Sequence, residues 1–227
     1  MPTIAFVSPK GGAGKTTSAL ILACELSRAA PVTIVDADPN RPIKAWFEGG
    51  QAPEGLQVLA NADEETILDR IEEAQLATPF VVVDLEGTAA KIVLLAIAAA
   101  DFVVIPTQGS ELDAAQSARA IRAVKQQEKM SGKVKPFAIL LTRTSAAINS
   151  RTMVHLQRSM AEAGIPVLRT SLVEREAFRA IFSFKRPLSS LEVTNVSGIE
   201  KAQANAEAFA TEIIEELKKA RAARAAQ

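Results

Sequence analysis

A glycine-rich segment near the N-terminus carries the residue types of a phosphate-binding loop. The apolar run Thr3–Val7 leads into Ser8-Pro9-Lys10-Gly11-Gly12-Ala13-Gly14-Lys15-Thr16-Thr17, and a helix-like stretch follows. Glycines let backbone N–H groups turn toward an anion, and the N-terminus of the following helix adds positive potential. In this pattern Lys15 reaches the β- and γ-phosphates of a nucleotide, and the Thr16 hydroxyl binds Mg²⁺. The predicted phosphate-binding residues are Gly11, Gly12, Ala13, Gly14, Lys15, Thr16 and Thr17.

Three aspartates at the ends of other apolar runs could take part in the same chemistry. Asp36 and Asp38 follow Val32–Val35, and Asp84 follows Val81–Val83. The carboxyl ends of parallel strands face one crevice of an open α/β sheet, so these carboxylates are expected near the glycine-rich loop. A lone aspartate after a strand is more often a turn or a helix cap. A pair of aspartates after a strand, in register with the glycine-rich loop, instead favours a binding site.

The loop departs from the strict P-loop pattern at its start, where Pro9 replaces the first glycine and Lys10 follows. Lys-Gly-Gly-Ala-Gly-Lys-Thr-Thr is a deviant Walker A motif, and in these residues the sequence resembles the ParA/MinD family of ATPases. The resemblance implies that Lys10 reaches across an ATP-sandwich dimer to the partner's phosphates, in a role comparable to that of an arginine finger. It covers Thr3 to about Leu191.

The resemblance also implies roles for residues at the other strand ends. Asp38 matches the residue that positions the attacking water, Asp36 matches one that supports the Mg²⁺ shell, and Asp84 matches the Walker B carboxylate. Relatives often carry Asn-Arg contacting the adenine where this chain has Thr142-Arg143. After Asp84 the chain continues Leu-Glu-Gly-Thr, which differs from the family's usual Asp-Thr-Pro-Pro. The expected catalytic residues are Lys10, Lys15 and Asp38, and the expected metal-binding residues are Thr16, Asp36 and Asp84.

Alternating strand-like and helix-like segments predict the elements that must position these residues. The strand-like runs lack apolar–polar alternation, as expected of parallel strands buried on both faces; they are Thr3–Val7, Val32–Val35, Phe80–Val83, Phe102–Ile105 and Phe137–Leu141. The helix-like segments are Thr16–Ala29, Asp63–Gln75, Leu112–Gln127, Arg151–Ala163 and Gly198–Gln227. This order predicts a doubly wound, mostly parallel α/β sheet with helices on both faces, a P-loop nucleotide-binding fold in a single domain over 1–227.

Composition narrows the classes of function. Lysine plus arginine and aspartate plus glutamate both number 26, so the net charge is zero and any nucleic-acid surface must be a local patch. The single cysteine, Cys24, excludes an intramolecular disulfide framework and is too few for the family's iron–sulfur reductases. Neither a signal peptide nor a membrane-spanning run is expected, and the terminal segment 198–227 reads as a helix docked on the sheet. The alternative, an amphipathic membrane anchor, would need a bulky apolar face that its last ten residues lack.

A basic segment follows the last predicted strand. It interleaves cations with Phe178, Phe182 and Phe184, and in ParA relatives the matching stretch holds the DNA backbone. The other interpretation is that the phenylalanines pack in the core and the cations form a solvated face with Glu174 and Glu176. The candidate DNA-binding residues are Arg169, Arg175, Arg179, Lys185 and Arg186.

Taken together, the resemblance implies a Mg²⁺-dependent ATP hydrolase most similar to the short ParA-type partition ATPases, cytoplasmic and nucleoid-associated. Such a protein would dimerise on ATP, bind non-specific DNA and partition a plasmid, a chromosome region or a protein cargo. Hydrolysis would be slow alone and stimulated by DNA and by a ParB-like or cargo-adaptor protein. The alternative is a nucleotide-switched adaptor that positions a protein complex without binding DNA. A metabolic ATP-dependent ligase is a third possibility, for which no substrate pocket is identified.

Overall fold

A parallel β-sheet forms the centre of the computed structural model, which describes residues 1–9, 11–86, 90–109, 111–145, 151–194 and 196–225. Its seven strands within these residues lie in the order β3-β2-β4-β1-β5-β6-β7, and each neighbouring pair is parallel. The strands are β1 (Thr3–Phe6), β2 (Val32–Ala37), β3 (Leu56–Ala60), β4 (Phe80–Leu85), β5 (Phe102–Thr107), β6 (Phe137–Thr144) and β7 (Leu172–Val173). The predicted doubly wound α/β fold is confirmed, with a fully parallel sheet.

Helices cover both faces of the sheet. They are α1 (Lys15–Ser27), α2 (Pro42–Glu48), α3 (Ile67–Ala77), α4 (Ala90–Ala99), α5 (Glu111–Ser131), α6 (Arg151–Glu162), α7 (Glu176–Phe184) and α8 (Ile199–Ala225), with a 3₁₀ turn at Leu188–Ser190. The predicted strands and helices are all present with shifted ends. The strands β3 and β7 and the helices α2, α4 and α7 are additional.

Successive residues of each buried strand supply two separate cores. In β1, Ile4 and Phe6 pack on the face covered by α1, α2, α7 and α8, whereas Ala5 belongs to the opposite core beneath α3, α4, α5 and α6. Cys24 is buried in the first of these cores, and burial raises its thiol pKa to about 12. Because both sides of the strands are apolar and covered, polar groups concentrate where the strands end.

The strand ends place the loop and the aspartates at one edge. Asp36 of β2 and Asp84 of β4 are register partners, and Asp84 is also the partner of Phe6 in β1. The glycine-rich loop begins just after β1, between the ends of β4 and β5, and continues into α1. The predicted convergence of the loop with Asp36 and Asp84 is therefore observed.

One buried carboxylate, Glu212, fastens the terminal helix α8 to the segment 169–170 that precedes β7. Glu212 accepts hydrogen bonds from the backbone N–H groups of Arg169 and Thr170, both at 2.7 Å, and from the Arg169 side chain at 3.3 Å. Burial alone would raise the pKa of Glu212, but these hydrogen bonds outweigh it and hold the pKa below its usual range. On the neighbouring turn, Glu215 pairs with the same arginine at 2.5 Å but is half-exposed.

We expect Glu212→Gln to lower the free energy of unfolding by about 2 kcal/mol at neutral pH, because an amide nitrogen would face a buried backbone donor. The control Glu215→Gln should change it by less than about 0.5 kcal/mol, as for other exposed ion pairs. Urea unfolding followed by circular dichroism measures both. The gap between wild type and Glu212→Gln should shrink below about pH 4, where protonation removes the wild-type carboxylate. Equal effects of the two substitutions would contradict the assignment of Glu212 as the fastening residue.

Candidate nucleotide-binding site

The glycine-rich loop adopts a backbone that exposes its amides ahead of α1. Gly12 and Gly14 have φ angles of 80° and 93°, in the left-handed region that glycine tolerates and other residues rarely adopt. Gly14 is also the N-cap of α1, and a Cβ there would come within 3.4 Å of the Thr142 methyl group. Gly11 and Gly12 are exposed. A glycine-rich turn at a helix N-terminus is suited to an anion, and phosphate binding by these residues remains a prediction. Lys10 lies outside the described residues.

Two side chains from neighbouring strand ends contact the loop. The Thr142 hydroxyl donates to the Ala13 carbonyl at 2.9 Å, and the Gln108 side-chain amide donates to the Gly12 carbonyl at 2.8 Å. In the structure the Thr142 hydroxyl donates to the loop, and contact of Thr142 with an adenine remains a prediction. Sequence reasoning did not identify Gln108. Its position directly after the apolar run of β5 is the signal that could have found it, since polar residues there face the crevice.

Asp84 is the most unusual group of the site. It is fully buried, and neither carboxylate oxygen meets the geometry of a hydrogen bond with the described residues, although the Thr16 hydroxyl lies close enough to lower its pKa. Burial raises its pKa to about 7, although the Thr16 hydroxyl and the Lys15 ammonium oppose the rise. Burial also lowers the pKa of Lys15, while the charges of Asp84, Asp38 and Glu86 raise it. The site therefore gathers several carboxylates around one buried ammonium.

These groups fit a divalent cation shared with phosphates. Orphaned carboxylate oxygens beside a threonine hydroxyl are the ligands that Mg²⁺ prefers, and Mg²⁺ needs only one or two protein ligands when phosphates supply others. In the described part of the chain, no group of three or more His, Cys, Asp or Glu side chains could hold a metal ion alone. Thr16 and Asp84 would thus hold the ion together with the nucleotide.

Asp36 has a different position from that expected of a free metal ligand. Its Oδ2 accepts the backbone N–H groups of Ile43 at 3.1 Å and Lys44 at 2.9 Å, and its Oδ1 accepts that of Asp38 at 3.4 Å. Burial raises its pKa, and these hydrogen bonds act against the rise. Asp36 thus caps the start of α2. Its predicted contribution to the Mg²⁺ shell remains a prediction.

Asp38 lies in the turn between β2 and α2. Its Oδ1 accepts the Asn40 backbone N–H at 2.8 Å and the Asn40 side-chain amide at 3.1 Å. The residue is half-buried and close enough to Lys15 to raise the pKa of that lysine. The turn keeps this carboxylate near Lys15, and its role in positioning water remains a prediction.

A cavity of about 370 Å³ opens beside the start of α1. Its polar wall includes Thr17, Thr142 and Arg143, and its apolar wall includes Phe178 and Phe182. The candidate DNA-binding residues Arg175 and Arg179 also line it. A volume of this size, apolar with a few convergent polar groups, suits the nucleoside part of a nucleotide.

The five candidate DNA-binding cations do not form one open patch. Arg169 pairs with Glu212 and Glu215, Arg179 pairs with Glu174 at 2.9 Å, and Arg186 pairs with Glu192 at 3.6 Å. The Arg175 Nε is buried without a hydrogen-bond partner among the described residues. The Lys185 side chain lies over Gly49, where a Cβ would come within 2.3 Å of its Nζ. DNA binding by these residues remains a prediction.

Comparison with known proteins places this geometry in a family. The family model described as "VirC1 protein" matches residues 1–222. The chain belongs to the VirC1 protein family. Protein ParA of Rhizobium radiobacter is 36% identical to this VirC1-family chain over 221 residues, which cover 97% of this chain and 99% of that protein.

Two further relatives support the assignment. The maintenance of carboxysome distribution protein A of Halothiobacillus neapolitanus is 31% identical over 181 residues, covering 78% of the VirC1-family chain and 82% of that protein. The structure of a substituted Cyanothece McdA in complex with ATP is similar with a TM-score of 0.74, at 18% identity, covering 98% of this chain and 96% of that one. The latter likeness concerns the fold. Among the described residues, no helix has the length and apolar character needed to cross a bilayer.

Asp36 and Asp84, which are register partners, should respond oppositely to substitution when nucleotide and Mg²⁺ are absent. At pH 8, we expect Asp84→Asn to raise the free energy of unfolding by about 2 kcal/mol, because the raised pKa of Asp84 means that its ionised form destabilises the fold even with Lys15 nearby. Asp36→Asn should lower it by about 1–2 kcal/mol through loss of the α2 cap. The pKa of Asp84 is raised, so the wild-type deficit relative to Asp84→Asn should vanish as pH falls toward 4. Chemical unfolding at both pH values checks this, and destabilisation by Asp84→Asn would contradict the geometry.

Proposed function

We propose that this chain is a Mg²⁺-dependent ATPase of the ParA type that dimerises on ATP, binds DNA without sequence specificity and positions a plasmid, chromosome region or protein cargo. The observation that carries the proposal is the buried Asp84 carboxylate, whose oxygens have no hydrogen-bond partner among the described residues, beside Lys15 of the glycine-rich loop. This arrangement is costly unless a cation and an anion bind together, and Mg²⁺ with a nucleotide triphosphate supplies both. The similarity to proteins named for partition and for carboxysome distribution supports the cargo-positioning part.

In this proposal the chain's own residues bind and orient the reactants. The loop amides and Lys15 hold the phosphates, and Thr16 and Asp84 hold Mg²⁺, which neutralises charge on the phosphates when bound. The Asp38 carboxylate orients the attacking water, and Asp36 fixes α2 so that Asp38 stays near the loop. Lys10 contributes charge to the partner's site in the dimer. Hydrolysis is slow until a ParB-like or cargo-adaptor protein and DNA complete this geometry.

A direct connection joins the nucleotide site to the candidate DNA-binding segment. The Trp46 Nε1 of α2 donates to the Ile181 carbonyl of α7 at 2.9 Å, in a buried position. The Gln51 N–H donates to the Lys185 carbonyl at 3.2 Å just beyond the end of α7. Because α2 is capped by Asp36 at its other end, a shift of the aspartate turn on nucleotide binding would move α7 as well. This linkage supports nucleotide-dependent DNA binding.

The second candidate function is a nucleotide-switched adaptor that recruits a protein complex without DNA. The ion pairs of Arg169, Arg179 and Arg186 favour it, since phosphates must displace carboxylates to reach these cations. Both candidates assign the chain to the cytoplasm, with nucleoid association in the first only. They differ in one measurable property, which is ATP-dependent binding to DNA.

Two lysines of the loop should separate nucleotide binding from dimerisation. We expect Lys15→Ala to weaken ATP binding at least about a hundredfold, because a buried ammonium facing the phosphates is lost. Lys10→Ala should retain ATP binding close to wild type but abolish the ATP-dependent dimer. Isothermal titration calorimetry and sedimentation velocity measure the two properties. ATP binding that survives Lys15→Ala would overturn the assignment of the loop.

DNA binding should occur with ATP and be absent with ADP or without nucleotide. Binding to a non-specific duplex, measured by fluorescence anisotropy at two salt concentrations, should weaken as salt rises. We expect reversal of Lys185 and Arg186 to glutamate to cost about tenfold or more in affinity without affecting ATP binding. Reversal of the exposed, ion-paired Arg70 and Arg158 on α3 and α6 provides a charge-matched control. ATP-dependent dimers that bind no DNA would favour the protein-recruiting adaptor.

A further inference from the structure

Two consecutive carbonyl groups of the phosphate loop are held by side chains from outside the loop. Gln108 follows β5 and contacts the Gly12 carbonyl, and Thr142 lies in β6 and contacts the Ala13 carbonyl. Both donors come from strands on the same side of β1, so they approach the loop from one direction. The separations along the chain are 96 and 129 residues, respectively.

Peptide planarity turns these two contacts into a constraint on the loop's amides. The carbonyl of one residue and the N–H of the next lie in one rigid, trans plane and point in opposite directions. A Gly12 carbonyl directed at Gln108 therefore directs the Ala13 N–H away from Gln108. In the same way, because the Ala13 carbonyl points at Thr142, the Gly14 N–H points away from Thr142. Both N–H groups belong to the loop that would surround the phosphates.

Packing restrains these two planes unequally: Gly12 is exposed, whereas Ala13, which both planes share, is buried. Glycine allows many backbone conformations, and Gly12 and Gly14 flank the peptide groups in question at positive φ. Gly11 and Gly12 are exposed, so packing does not restrain that part of the loop. An anion site gains affinity when its donors are already oriented before binding. External hydrogen bonds to the carbonyls provide such orientation without touching the ligand.

We propose that Gln108 and Thr142 are positioning residues that orient the Ala13 and Gly14 amides toward phosphate. The proposal rests on the proposed nucleotide binding at this loop, and it assigns Thr142 a role different from base recognition. A threonine hydroxyl has one proton, and the structure directs it to Ala13. Thr142 is buried whereas the Gln108 contact is exposed to water, so Thr142 has the larger effect.

The test compares Thr142→Val with Thr144→Val in the full chain. Both residues lie in β6 and are buried, but the Thr144 hydroxyl bonds Ser171 at 3.1 Å and not the loop. Dissociation constants are measured for ADP and for pyrophosphate, by competition with a fluorescent ADP analogue. We expect Thr142→Val to weaken both ligands about fivefold, Thr142→Ser to restore them, and Thr144→Val to leave them unchanged.

Gln108→Leu extends the test to the exposed contact. It should weaken ADP and pyrophosphate about twofold. The control Gln75→Leu should have no effect, because the Gln75 amide contacts the Thr3 hydroxyl at 2.9 Å, near the start of β1 and far from the loop. Pyrophosphate has no base, so equal losses for both ligands identify orientation of the phosphate-binding amides.

Four results would overturn the proposal. Loss of ADP affinity alone in Thr142→Val would assign Thr142 to the base. Equal effects of Thr142→Val and Thr144→Val would mean that substitution in β6 weakens binding in general, and that the contact with Ala13 is not the cause. Wild-type protein that binds neither ADP nor pyrophosphate would overturn the proposed nucleotide binding together with this inference, whereas wild-type binding with unaffected variants overturns the inference alone.

Discussion

Burial of the Asp84 carboxylate without a hydrogen-bond donor is the constraint on which the rest of the site depends. An unpaired charge in a protein interior costs several kcal/mol, and folding tolerates it only where other terms compensate. The nearest compensation is the ammonium of Lys15, whose own burial lowers its pKa. Two groups that each disfavour the dry interior are thus kept together at the end of the sheet. The parallel fold makes this possible by bringing the ends of β1, β2 and β4 to one level.

The two aspartates at that level, Asp36 and Asp84, differ in what their oxygens contact. Asp84 has oxygens to offer a ligand, whereas Asp36 directs its oxygens to the first turn of α2 and to Asp38. A carboxylate at a helix N-terminus satisfies free backbone donors and interacts favourably with the helix dipole. Through α2 and Trp46 that contact extends to α7. A ligand that moved the aspartate turn would therefore also act on the contact between α2 and α7, which share one core.

Local sequence patterns predicted the fold and the glycine-rich loop, but they did not predict contacts between residues far apart in the chain. The five predicted strands are continuous apolar runs, but β3 is a half-exposed edge strand and β7 has only two residues. The seven residues of α2 are too few to show a helical repeat of apolar positions. The segment that forms α7 differs from its surroundings in sequence by its cations, which indicate a surface rather than a helix. The motif predicted where Lys15 and Asp84 lie. It could not predict that Thr142 would hold the loop, because that bond joins residues 129 positions apart.

The sequence also did not predict how the cations of the candidate DNA-binding segment are paired. Five cations within a short segment indicate a basic surface, yet acids pair with three of them: Arg169 pairs with Glu212 and Glu215 far along the chain, whereas Arg179 and Arg186 pair with the nearby Glu174 and Glu192. Glu212 and Glu215 come from α8, and Glu192 comes from the loop before it. The segment thus presents a weaker positive field than its sequence indicates, and a phosphate contact with Arg169, Arg179 or Arg186 must replace an existing ion pair. In the proposed cycle, dimerisation places two such segments on one duplex, and the second contact benefits from high effective concentration. Weak pairing by each subunit then makes DNA affinity depend on the dimer, and through the dimer on the bound nucleotide.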